Sequence, residues 1–92
     1  MSQTLSPPPT EASVPVLAIY PFDARAVAKR FRHAAIFGAL EVLEPGEAMR
    51  FVNDHDPLPL LRQMQIHFGD TIVIAYQDKS EAGVIIDFIK QA

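Results

Sequence analysis

Two histidines and a short acidic run are the residues here whose types can do chemistry. His33 stands in a basic stretch, and Asn53-Asp54-His55-Asp56 forms a polar corner between two apolar segments. Imidazoles and carboxylates brought to one edge can ligate Zn²⁺ or Fe²⁺, and two His with one carboxylate is a known non-haem iron arrangement. The same groups can exchange protons. They can also do neither. Asp56 is a good N-cap, Asn53 and Asp54 are turn residues, and a His33–Asp bond would simply tie a helix to the corner. A structural lock, a metal or small-ligand site and acid–base catalysis therefore stand side by side. His67, in the last turn of an expected helix, reads as a cation favoured by the helix dipole.

A second cluster is cationic. Arg25, Lys29, Arg30 and Arg32 hold half of the eight Lys and Arg residues. At a helix start they oppose the dipole, which suits an anion or an acidic partner. The blander reading is a solvated face with long stems covering the helix. Nucleic acid is a poor fit, because the chain carries eleven Asp and Glu and a net charge of −3 and has no second basic patch. There is no Cys, which excludes disulfides, thiolate nucleophiles and thiol-borne sulfur transfer. No nucleophile or phosphate-binding loop is evident, so an enzyme is not the expected class.

These residues need elements to position them. Ninety-two residues, 49% of them apolar, fit one domain with one core. Residues 1–14 contain Pro7-Pro8-Pro9 with Ser and Thr and read as a disordered tail that forms neither helix nor ladder. They lack the basic start of a secretory signal, and nothing in the chain is long and apolar enough to span a membrane. A cytoplasmic location is expected. Residues 15–92 read as the folded domain. Pro15–Tyr20 is a first strand and Lys29–Leu43 a first helix, with Phe31, Ala35, Ile36, Ala39, Leu40 and Leu43 at helical spacing. An earlier helix start capped by Asp23 is an alternative. Ala48–Val52 is a second strand. Pro57–His67 is a second helix capped by Asp56, burying Leu60, Leu61, Met64 and Phe68 and stopped by Gly69. Thr71–Tyr76 and Val84–Ile89 form an antiparallel hairpin around the polar turn 78–83.

The order β-α-β-α-β-β predicts an α+β two-layer sandwich, a four-stranded mixed sheet with two helices on one face. Both helices then open at one rim, bringing His33 toward the 53–56 corner. Strand alternation sends Ile72, Ile74, Tyr76, Val84, Ile86 and Phe88 toward the helices. It leaves Val73, Ala75, Ile85 and Ile89 on the other face, an apolar surface for weak self-association or a partner domain.

Arg32-His33, Ile36-Phe37, Leu43-Glu44-Pro45-Gly46-Glu47 and, most specifically, Asn53-Asp54-His55-Asp56-Pro57 with Pro59-Leu60 resemble the bacterial domain-of-unknown-function family 2249, over Phe22 to Lys90. The layout is also similar to the TusA/SirA-like sulfur carriers, whose Cys-Pro-x-Pro cysteine falls at Lys29 here, so persulfide transfer is excluded. The closer resemblance implies no established activity. It implies a setting near hemerythrin-like or respiratory proteins and nitrogen-oxide metabolism. The expectation is a non-enzymatic protein-interaction or ligand-binding module, with a metal-binding protein built on His33, His55 and Asp56 as the alternative.

Overall fold

The computed structural model describes residues 16–91; the expected tail, residues 1–14, lies outside them. Four strands are present: β1 (Ala18–Asp23), β2 (Glu47–Asn53), β3 (Ile72–Ser80) and β4 (Gly83–Lys90), with two helices, α1 (Lys29–Val42) and α2 (Leu58–Phe68). The sheet order is β1-β2-β4-β3. β1 runs parallel to β2, β4 is antiparallel to both neighbours, and the sheet is therefore mixed. The α+β sandwich read from the sequence is the fold.

Both helices lie on one face. Ile36 and Leu40 of α1 and Leu61 and Met64 of α2 pack into a single core with Met49, Phe51, Val84, Ile86, Phe88 and Ile72. These positions follow the two periods the sequence carries, 3.6 along the helices and 2 along the strands. Phe51 and Phe88, on adjacent central strands, pack with ring centroids 5.2 Å apart. Phe31 was expected in the buried stripe of α1, yet it is 57% exposed. It sits in the first turn beyond the sheet's cover, with the Arg30 guanidinium 5.0 Å from its ring centroid.

Boundaries differ from expectation for local reasons. β1 starts three residues later than Pro15 and runs through Pro21, which is tolerated because β1 is an edge strand. Asp23 does not cap α1. Its carboxylate accepts from Arg25 N and closes a separate 3-10 turn, Ala24–Ala26, after which Val27 is extended and α1 begins afresh at Lys29. Asp56 does not cap α2 either. Pro57 occupies the cap position, and no side chain caps the helix. β3 extends four residues past Tyr76 by absorbing an irregularity between Tyr76 and Asp78, so the turn shrinks to Glu81-Ala82.

The face away from the helices is not the open apolar patch expected. Ala75 and Ile89 are buried with Ala48, and Val73 packs against them half-buried; Ile85 is also half-buried. Beside them a charge pair fills the middle of the sheet. Arg50 donates from Nε and a terminal nitrogen to both carboxylate oxygens of Asp87 at 2.8 Å each, and Asp87 is only 3% exposed. The two residues face each other in the β2–β4 register. A bidentate guanidinium is the partner that makes such a buried carboxylate tolerable.

The first residue of β4 packs the hairpin against the polar corner. Gly83 has φ +147°, and a Cβ there would collide with the backbone oxygen of Asn53 and crowd Asp54. Gly83→Ala should destabilise the fold by about 3 kcal/mol, from backbone strain and the clash together. Urea unfolding checks this, and Gly38→Ala, where the added atom meets nothing, is the control expected to be neutral or stabilising.

Candidate functional site

The start of α1 is an unneutralised positive end. Its N-cap is Ala28, which has no side chain to accept from the first-turn N–H groups, and that turn contains no acidic residue. Lys29, Arg30 and Arg32 add cations where the dipole is already positive. The four basic residues then diverge. Arg25 is held by Asp23 through two 2.8 Å bonds, a pairing that draws the Asp23 carboxyl down to about 2. Arg30 lies over Phe31. Arg32 donates from Nε to the carbonyl of Val27 at 3.0 Å. Lys29 makes no ion pair among the described residues.

The polar corner grows from the end of β2. Asn53 follows Met49 and Phe51 on the core-facing side and is 4% exposed. Its Nδ2 donates to the carbonyl of His55 at 2.9 Å, which sets the amide's orientation. Its Oδ1 is buried with no hydrogen-bond partner. Native structures satisfy most such atoms, so an orphan acceptor is a meaningful exception.

These two segments meet. A cavity of about 280 Å³ is lined by Lys29, Arg32 and His33 from α1 and by Asn53, His55 and Pro57 from the corner, with Ile36, Phe51 and Leu60 among its walls. Parallel pairing of β1 with β2 and the short links into each helix bring both helix entrances to this rim. Arg25 and Arg32 are also close enough to Asp54 for their charges to be felt across the rim.

Within the rim, the expected partnerships are rearranged. His33 does not bond Asp54 or Asp56; its ring stacks on Phe37, centroids 4.2 Å apart and planes 11° from parallel. The imidazole bonded to the corner is His55, whose Nδ1 donates to Asp54 Oδ1 at 2.7 Å. That bond holds the Asp54 carboxyl below its ordinary range. Asp56 turns the other way. Its carboxylate accepts from the Tyr76 hydroxyl and from Lys79 Nζ at 3.1 Å. Tyr76, chiefly through burial and then through Asp56, is pushed up to about 12, while Asp56 is held low, first by the Tyr76 bond and then by Lys79.

The metal set His33, His55 and Asp56 is therefore not assembled. Among the described residues, no three His, Asp or Glu side chains form a group able to hold a metal ion. His67 stands in the last turn of α2 as expected and does more there. It reaches across to α1, its Nε2 3.1 Å from Glu41 Oε2, and sets its ring against Phe37 and Phe68.

What the arrangement brings together is two cationic side chains, Lys29 and Arg32, at a helix start without a side-chain cap, and Asn53, whose amide oxygen is unpaired. Sequence reasoning placed the cations and the corner in separate candidates. The signal that joins them was present in β2, where the alternation of Met49 and Phe51 puts Asn53 on the core side.

Residues 21–90 match the family described as uncharacterized conserved protein (DUF2249). Comparisons with curated proteins and with solved structures return no match. No helix among the described residues is long and apolar enough to cross a membrane.

The Asp56 clamp has a pH signature. A carboxyl held low in the folded chain binds protons less readily there than when unfolded. Its stabilisation is present above the unfolded value near pH 4 and is lost as pH falls through the lowered folded value. Asp56→Asn should therefore cost about 1 kcal/mol at pH 7 and progressively less below pH 4. Urea unfolding of both proteins at pH 7 and pH 3 checks it; a difference that persists undiminished at pH 3 contradicts the clamp.

Proposed function

We propose that this chain, which belongs to the uncharacterized conserved protein family DUF2249, is a small-ligand-binding module, and that its ligand is a small oxyanion that also carries a hydrogen-bond donor. The observation that carries this reading is the cavity that the uncapped, cationic start of α1 shares with Asn53, whose buried Oδ1 has no partner. Helix N–H groups, Lys29 and Arg32 suit negative charge. A carboxamide oxygen accepts only from a donor, so it suits a hydroxyl or an acidic O–H. A hydroxy-carboxylate or a protonated phosphate meets both demands within about 280 Å³.

Binding rather than turnover is the proposed role, with the protein in the cytoplasm and its ligand passed to or sensed with a partner protein. The respiratory and nitrogen-oxide setting implied by the family resemblance makes nitrite and nitrate the informative comparison. Both fit the cationic wall, and neither has a donor for Asn53.

Titration of ¹⁵N-labelled protein with lactate, glycerate, phosphate at pH 6, nitrite and nitrate tests the proposal. The donor-bearing anions should shift the Asn53 side-chain amide together with the backbone amides of 29–32, and Lys29→Glu should weaken binding about tenfold or more through charge reversal at the pocket. Saturable binding of nitrate as tight as that of lactate would remove the role given to Asn53. Absence of shifts at both segments with every anion would remove the proposal.

A further inference from the structure

The far end of α1 has the opposite charge from its start. Its last turn contains no basic residue, and the chain leaves it through Glu44 and Glu47. A helix C-terminus is already negative, so acids there add to its charge. At this end α1 and the edge strand β1 also fail to close on each other. Ala39 contributes only a methyl group between them, and a cavity of about 340 Å³ remains. Tyr20, Phe22 and Met49 line it from the sheet, and Ala39, Val42 and Leu43 from the helix and its cap.

The parallel register pairs Tyr20 with Met49 and Phe22 with Phe51, which puts both aromatic side chains on the helix-facing side of the sheet. Among the described residues that line the cavity, Glu47 alone is charged, and it is half-buried. Its Oε1 accepts from the backbone N–H of Glu44 at 2.9 Å. Its Oε2 accepts from the Tyr20 hydroxyl at 3.3 Å, longer than the usual O–H···O separation, and keeps acceptor capacity to spare. The Glu47 charge and this bond together push the Tyr20 hydroxyl above its ordinary pKa. Lys90 does not line the cavity; it donates to the carbonyl of Leu40 at 3.0 Å and lies over the Phe68 ring. The cavity shares no lining residue with the one at the start of α1.

We infer that this cavity is a second binding site, for a small organic ammonium ion with an apolar body. Glu47 Oε2 and the Tyr20 ring hold the charge, and Phe22, Val42 and Leu43 receive the body. A carboxylate beside an aromatic ring attracts an ammonium group twice over, by a charge-assisted hydrogen bond and by the negative face of the ring. An anion is repelled by Glu47 and by the helix end. A neutral apolar molecule gains from the walls but leaves the carboxylate unanswered. Mostly apolar walls with a few placed polar groups are the usual make-up of a small-molecule site, and the volume is in its range. A space this size between one helix and one strand suits such a molecule rather than the broad face of another protein. The site is independent of the oxyanion reading.

Titration of the ¹⁵N-labelled full chain at pH 7 with phenethylammonium, 2-phenylethanol and 3-phenylpropionate tests this. Phenethylammonium should bind saturably and shift the backbone amides of Tyr20, Phe22, Val42, Leu43 and Glu47, while those of 29–32 stay in place. At the same residues the alcohol and the carboxylate should bind at least about tenfold more weakly. Glu47→Gln keeps an acceptor for the Glu44 N–H and should weaken ammonium binding about tenfold with alcohol binding unchanged. Tyr20→Phe keeps the ring and releases Oε2, so binding should be kept or tightened. Ala39→Leu fills the cavity and should abolish binding; unchanged circular dichroism and Tm confirm that the variants fold. No saturable shifts at these residues in the wild type overturn the inference. So does an alcohol that binds as tightly as the ammonium, or ammonium binding indifferent to Glu47→Gln or to Ala39→Leu.

Discussion

The parallel pairing of β1 with β2 is the constraint on which the rest depends. Parallel neighbours cannot be joined by a tight turn, so the chain must cross the sheet and return. α1 makes that crossing, and it therefore starts at the rim where β1 ends and where β2 will also end. The 53–56 corner sits at that rim because β2 delivers it there. Had β1 and β2 been antiparallel, Lys29 and Asn53 would belong to opposite ends of the molecule, and the cavity they share would have no residues to line it.

Energetically the molecule separates into parts that stabilise and one that does not. Phe51, Phe88, Ile36, Leu40, Met64 and Ile86 are almost wholly removed from water, and in so small a chain their burial is the main favourable contribution. The Arg50–Asp87 pair satisfies the one buried charge on the far face among the described residues. The rim is different. An uncapped helix with cations in its first turn and a buried amide oxygen without a donor are each unfavourable for the protein alone. Local departures from good folding chemistry are often where function resides. Here residues of both line the same cavity of about 280 Å³, and the proposed ligand chemistry is chosen to relieve both.

Much of this was legible in the residues. Period-two alternation in Met49–Phe51 and Val84–Phe88 and the 3.6 period of Ile36–Leu40 and Leu61–Met64 identified the layers and the core. Gly69 and the prolines marked where helices stop and start. What escaped was side-chain choice among several good local partners. Asp56 looks like a cap for Pro57–Leu58, yet Tyr76 and Lys79, some twenty residues away, compete for it and win. His33 looks ready to bond an acid, but Phe37 one turn on offers a stacking surface. Asp23 caps a turn rather than a helix because Arg25 is within immediate reach. Strand alternation likewise gave the right face for Ala75 and Ile89, while saying nothing of the exposure left there. Local sequence can rank a residue's roles, but long-range contacts decide among them.

The absence of cysteine makes the central claim directly measurable. A single Lys29→Cys substitution accepts a nitroxide label at the first residue of α1, and paramagnetic broadening of backbone amides then reports what lies nearby. If both helices open at one rim, the resonances of Asn53, Asp54 and His55 broaden strongly, while those of Glu44 and Gly46, beyond the far end of α1, are spared. Broadening at Glu44 and Gly46 with sharp signals from Asn53 to His55 would contradict the arrangement from which the site is built.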